Sequence, residues 1–191
     1  MIVSDIKVYG LEEAIKYASL PFSKLNAYRR TTLTTLAKQK QRSHAKFLRQ
    51  VMIGAYVQAP MFWWVEFDTY KVGTVRNSSS TMHTLLKNKI DSVCFDTSLL
   101  TDMKPAVDQI LKSIMNDMNR MISLERDNQE LLLAIKSLLP SSFVYHSYVT
   151  FNYEVLRTMY FDRRYHKLPH WRLFLDSFKN IPYFDEFIQG E

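Results

Sequence analysis

The chain has 191 residues, 47% of them hydrophobic and 23% charged, which supports a folded core and excludes disordered or collagen-like chains. Glycine occurs only 4 times where an average chain carries about 7%, and this excludes the glycine-rich phosphate loops of P-loop and dinucleotide folds. The net charge of +6 is unevenly placed, because Lys16, Lys24, Arg29, Arg30, Lys38, Lys40, Arg42, Lys46 and Arg49 lie between Ala14 and Val65 with no Asp or Glu among them.

That basic region predicts either a solvated helix face or a surface for an anionic partner such as a nucleotide phosphate. No helix-turn-helix, zinc-finger or RNA-recognition signature accompanies it, so nucleic acid is not the expected partner. The single cysteine, Cys94, excludes an internal disulfide and any multi-cysteine metal site. No apolar run approaches the roughly 18 residues that span a bilayer. The first residues lack the charged-then-apolar layout of a signal peptide. The expectation is a soluble cytoplasmic protein without a membrane partner.

In chain order, Ile2, Ile6 and Val8 predict a first strand over 1–9, ended by Gly10. A short helix follows over 11–20, with Glu12 and Glu13 in its first turn where the helix dipole favours acids. The apolar spacing of Phe47, Leu48, Val51, Met52 and Ala55 predicts a long helix over 34–58, broken by Pro60. Residues 61–70, with Phe62, Trp63, Trp64 and Phe67, suit a buried strand or a buried helix equally.

Val107, Ile110, Leu111, Ile114, Met118, Met121 and Ile122 mark one face of a helix over 105–124. Asp127 and Glu130 form a capping-box-like pair at the start of the next helix, and Pro140 stops it. Residues 143–151 read as a strand. Asn152 caps a helix running to about residue 164, and Pro169 opens a last one ahead of Trp171. The reading is one α/β (α+β) domain over 1–191, mostly helical with a modest sheet.

The densest polar stretch runs from Glu66 to His83 and includes Asn77, Ser78, Ser79 and Ser80. Its hydroxyls, amide and cations in one loop form either a serine-rich surface turn or a donor set for a polar ligand. His166 and His170 are four apart, but Pro169 lies between them and no carboxylate pair joins them, so no metal site is expected. A Gly-x-Ser-x-Gly nucleophile elbow is absent. Cys94 and the Trp63-Trp64 pair read as core residues.

Four segments, in order, resemble the flavin-dependent thymidylate synthases (ThyX), whose signature is Q-x-x-R-H-R-x-x-S followed by S-x-R-Y after a long helix that begins near a histidine. His44 opens the stretch to Gln58, Glu66 stands at the Gln, Thr69-Tyr70-Lys71 at the Arg-His-Arg, and Thr74 at the Ser. Ser80-Thr81-Met82-His83 parallels S-x-R-Y after one inserted residue. Lys136 to Pro140 is similar to the A-R-x-x-L-P turn, Asn152 and Leu156 to N-x-x-x-L, and Arg163 to Arg172 to the closing arginine helix.

The departures are chemical. Thr69 and Tyr70 offer no charge-assisted bidentate bond, Met82 removes a phosphate-holding arginine, and Glu66 exchanges an amide for an acceptor-only carboxylate. The resemblance implies a homotetramer with pockets between subunits, binding a dUMP-like pyrimidine nucleotide. It also implies FAD and reduced folate delivering a methyl or hydroxymethyl unit to the base without an enzyme nucleophile. Arg164 and Arg172 would be catalytic. His44, Thr69, Tyr70, Lys71 and Asn152 would hold the cofactor. Glu66, Asn77, Ser78, Ser80, Lys136 and Arg164 would hold the substrate. The compact size and the nucleotide-metabolism resemblance suit a bacteriophage gene. The alternative is a ThyX-like scaffold that holds a nucleotide without turnover.

Overall fold

The structure, a computed structural model, describes residues 1–39, 43–124 and 129–190; Lys40, Arg42 and the Asp127 half of the expected capping pair lie outside them. Strand β1 (Ile2–Tyr9) alternates exposed and half-buried positions, as one covered face demands. Asp5 interrupts it at a φ of 52°, a left-handed backbone that Asp tolerates better than most residues. Gly10, at a φ of 73°, turns the chain into α1 (Leu11–Tyr17). A Cβ there would stand 2.9 Å from the Gln50 carbonyl oxygen, so both the angle and the space require glycine. The helix expected over 11–20 ends at Tyr17, and residues 20–22 form a 3₁₀ turn.

The long helix expected over 34–58 is not formed. Its first part belongs to α2 (Arg30–Lys38), residues 46–49 make a 3₁₀ turn, and the remainder is strand β2 (Met52–Pro60). Val51, Ile53, Ala55, Val57 and Ala59 are all at 0% exposure, a period of two, and Gly54 on the other face lies against Tyr148. An interior strand covered on both faces loses its polar alternation, which let a helical spacing fit the same letters.

Pro60 ends β2, and α3 (Met61–Phe67) follows at once, so the ambiguous 61–70 segment is helical. A 3₁₀ stretch over 68–73 extends it into β3 (Thr74–Ser78), and then comes α4 (Thr81–Thr84). The polar stretch expected as a loop is therefore mostly regular structure. Helix α5 (Lys104–Leu124) buries Leu111, Met118 and Ile122, while Ile110, expected on that face, is 61% exposed. Helix α6 (Gln129–Leu138), strand β4 (Val144–Asn152), α7 (Tyr153–Arg163) and α8 (His170–Asp176) lie close to their expected places. The Asn152 side chain accepts from the Val155 N–H at 3.0 Å, the cap the sequence called for.

The strands form one antiparallel sheet in the order β1-β2-β4-β3, within a mixed α/β fold. Packing groups the chain into two compact units. The first comprises 1–57, 67–77 and 148–191. Its core is aromatic: Phe67 on Phe174, Phe151 on Phe178 and Phe47 on Phe187 meet with centroids 5.3–5.9 Å apart, edge-on as ring quadrupoles prefer. The second comprises 58–66 and 78–147 and packs Leu85, Ile90, Phe95, Leu111, Met118 and Ile135 together. Trp63 and Trp64 are fully buried there, as expected, and the Trp64 indole N–H reaches the carbonyls of Ala59 and Tyr145.

Candidate functional site

Within the second unit, Lys136 in the last turn of α6 lies beside the start of α4. Its ammonium donates to Thr81 Oγ1 at 3.2 Å and to Met82 Sδ at 3.4 Å. An ammonium has three donors and a thioether is a weak acceptor, so this cation retains capacity for an anion. Ser80 is the residue before α4, and its side chain makes no capping bond, leaving the hydroxyl available. Ser78 pairs with the buried Ser147 hydroxyl at 2.8 Å, and Glu66 is half-buried at the end of α3. Lys136 is thus brought to Thr81 and Met82 from more than fifty residues away, whereas no hydrogen bond or ion pair links it to Glu66, Ser78 or Ser80.

Within the first unit, Tyr70 in the 3₁₀ stretch after α3 meets the end of α7. The Arg163 Nε–H donates to the Tyr70 hydroxyl at 3.0 Å, and that hydroxyl donates to Asp162 at 3.2 Å. The Arg163 guanidinium lies over the Tyr70 ring at 5.6 Å and over the Trp171 ring at 5.0 Å, a cation–π arrangement. Burial pushes the Tyr70 hydroxyl above its ordinary value, and the Arg163 cation partly offsets this.

Arg164 faces Tyr160, Phe161 and Tyr165 at 4.9–5.5 Å, and its Nε–H is buried without a hydrogen-bond partner among the described residues. A buried donor left unmade costs about 1–3 kcal/mol, which marks Arg164 as a group suited to an incoming acceptor. Thr69, Lys71, Asn77 and Arg172 are exposed, and His44 is exposed in the turn before the 3₁₀ residues 46–49 rather than opening a helix. The Asn152 carbonyl oxygen is committed to capping α7.

Part of the basic region is spent on internal acids in this unit. Arg30 pairs with Glu186 and lies over Tyr183, and Arg49 pairs with Glu154. Among the described residues no group of three His, Cys, Asp or Glu is placed to hold a metal. His166 Nδ1 accepts from the Leu168 N–H. No helix among them is long and apolar enough to cross a membrane.

No family model matches the sequence, and no curated protein does. Solved structures do match in shape. The flavin-dependent thymidylate synthase ThyX from Helicobacter pylori, complexed with FAD and dUMP, superposes with a TM-score of 0.71 at 12% identity, over 98% of this chain and 97% of that one. The fold is the ThyX fold. A second Helicobacter pylori ThyX structure with FAD and dUMP gives 0.69 at 11% identity, covering 95% and 93%. The UMP/dUMP methylase PolB from Streptomyces cacaoi, bound with 5-Br dUMP, gives 0.55 at 16%, covering 81% and 76%.

On this ThyX fold, two of the segments that carry the resemblance meet in each unit: 80–83 with Lys136, and 69–71 with the end of α7. Of the Tyr70 partners, Arg163 and Trp171 fall in the segment that resembles the closing arginine helix but carry no role there, and Asp162 falls in none of the segments. Their signal is a contact across more than ninety residues of chain, which local spacing does not carry.

Proposed function

We propose that this chain is a ThyX-like protein, one domain over 1–191, that binds a pyrimidine nucleotide and transfers a one-carbon unit to its base. The observation that carries the reading is the meeting of Lys136 with Thr81 and Met82, on a fold shared over 98% of the chain with a ThyX structure. Lys136 supplies a charge-assisted bond to the phosphate and Ser80 a hydroxyl beside it. The unmatched Arg164 Nε–H fits an acceptor on the nucleotide. Arg172 and Asn77, both exposed, complete the set, with Glu66 accepting from the base.

FAD would supply hydride chemistry and reduced folate the carbon unit. Of the chain's own groups, Lys71 and His44 fit the flavin best, because the Tyr70 hydroxyl and the Asn152 oxygen are already held by protein partners. The work of these residues is binding and orientation: Lys136 and Arg164 fix the nucleotide, and no side chain attacks the base. A homotetramer with pockets between subunits belongs to the same reading.

The same commitment of Tyr70 to Asp162 and Arg163 favours a second reading, in which the nucleotide is held without turnover. The protein purified without added cofactor is examined for bound-flavin absorbance and titrated with FAD and dUMP. Incubation with methylene-folate and a reductant follows. Flavin uptake and methylated product support transfer. Binding of dUMP with neither supports the second reading. Failure to bind dUMP refutes both.

A further inference from the structure

The second unit contains a cavity of about 650 Å³, inside the range of about 300–1,000 Å³ typical of small-molecule sites. No residue of the ThyX-type segments lines it. Its floor is Ile90, Phe95, Leu111 and Met115, part of the hydrophobic cluster of this unit. Its polar wall carries three lysines, Lys89, Lys104 and Lys112, against two aspartates, Asp91 and Asp108.

The internal pairing of these charges decides which sign is left for a ligand. Lys104 bonds to Asp108 and to Thr97 Oγ1, and Thr97 also donates to Asp108, so that lysine and that carboxylate satisfy each other. Asp91 accepts from the Val93 N–H at 3.1 Å and from Cys94 Sγ at 3.6 Å, capping the 3₁₀ turn over 92–94. The side chains of Lys89 and Lys112 make no hydrogen bond or ion pair with any described residue, and both residues are exposed. The cavity therefore combines an apolar floor with two uncommitted cations.

We propose that this cavity is a second ligand site, for a compact organic anion whose apolar body rests on Phe95 and Leu111 and whose carboxylate, phosphate or sulfonate is held by Lys89 and Lys112. A metal cation is disfavoured because Asp108 is paired with Lys104 and Asp91 alone, already accepting from the Val93 N–H and Cys94 Sγ, is too few ligands. A neutral ligand would leave both ammonium groups without use. The site is independent of the nucleotide reading, since it shares no residue with it.

The probe is 8-anilinonaphthalene sulfonate, an aromatic body with one fixed negative charge, titrated at low salt into the full chain in the presence of excess dUMP. Two variants locate it: Lys89→Gln with Lys112→Gln, which removes the charges, and Asn116→Trp, which fills the mouth from an exposed position on α5. Far-UV circular dichroism checks that each variant keeps its fold. The expected result is saturable fluorescence enhancement, weakened about tenfold or more in the double lysine variant, as loss of charge-assisted bonds implies, and similarly weakened in Asn116→Trp. Added salt weakens binding to the native chain. Absence of saturable enhancement overturns the proposal, and so does an unchanged affinity in either folded variant.

Discussion

Removal of the Asn119 amide tests how the 89–97 segment is held to α5. Asn119 Oδ1 accepts from the Ile90 N–H at 3.0 Å, and its Nδ2 donates to the Ile90 carbonyl at 2.7 Å. One side chain thus satisfies both backbone groups of a residue whose side chain is 3% exposed. Asn119→Ala deletes both bonds. At about 0.5–1.5 kcal/mol each, the expected loss is about 1–3 kcal/mol.

With a urea dependence of about 2 kcal/mol per molar, the unfolding midpoint falls by about 1 M. Because the loss is local, the Ile90 amide also exchanges its hydrogen faster, by roughly tenfold to a hundredfold. Asn116→Ala, three residues earlier and exposed, is the control and leaves both readings unchanged. Native urea stability together with native Ile90 protection in Asn119→Ala would show that the two bonds contribute nothing net.

Asn152→Ala removes the cap of α7 and lowers stability by about 0.5–2 kcal/mol, read as a fall in the thermal midpoint, while Asn152→Asp retains most of it. Gly73→Ala drives a Cβ to within 2.3 Å of Val155 Cγ2; a β-branched side chain yields poorly, and the expected loss by urea unfolding is about 1–3 kcal/mol.

Tyr70 and Tyr153 both have hydroxyls raised above the ordinary tyrosine value of 10.0 by burial. The folded chain therefore holds those protons more tightly than the unfolded one. Their contribution is complete below that value and is lost as pH rises through it, so stability falls at alkaline pH, and Tyr70→Phe flattens the fall in a urea series. Lys136→Ala weakens dUMP binding about tenfold to a hundredfold by calorimetry, the range for a bond to a charged group.

The chain shows its helices where one face is buried and the other wet. Helix α5 declares itself through Leu111, Met118 and Ile122 at helical spacing, and α7 through the Asn152 cap. Strand β2 does not, because an interior strand carries apolar or small residues on both sides. Ile53, Ala55 and Val57 then compete with a helical fit through Phe47, Val51 and Ala55. The β-branched residues and Gly54 are the signal that separates them.

The candidate site was legible as segments but not as contacts. Lys136 and Ser80 are found by order along the chain, while the Tyr70–Arg163–Trp171 stack depends on where the fold brings α7 and α8. The shift of the basic region from open surface to partly internal pairing has the same origin, since Glu154 and Glu186 lie far along the chain from Arg49 and Arg30.

Asp5 has a consequence for how copies of this chain behave together. Strand β1 ends the sheet, so one side of its backbone has no neighbouring strand in the ladder. An unbroken edge of that kind is a template on which a foreign strand can add, and from there aggregates grow. The left-handed residue in the middle of β1 breaks the regular spacing of donors and acceptors, and its carboxylate and the nearby Lys7 charge the same short strand. A docking strand would find matching partners for only three or four residues before the register failed. The kink thereby limits strand addition at this edge of the sheet.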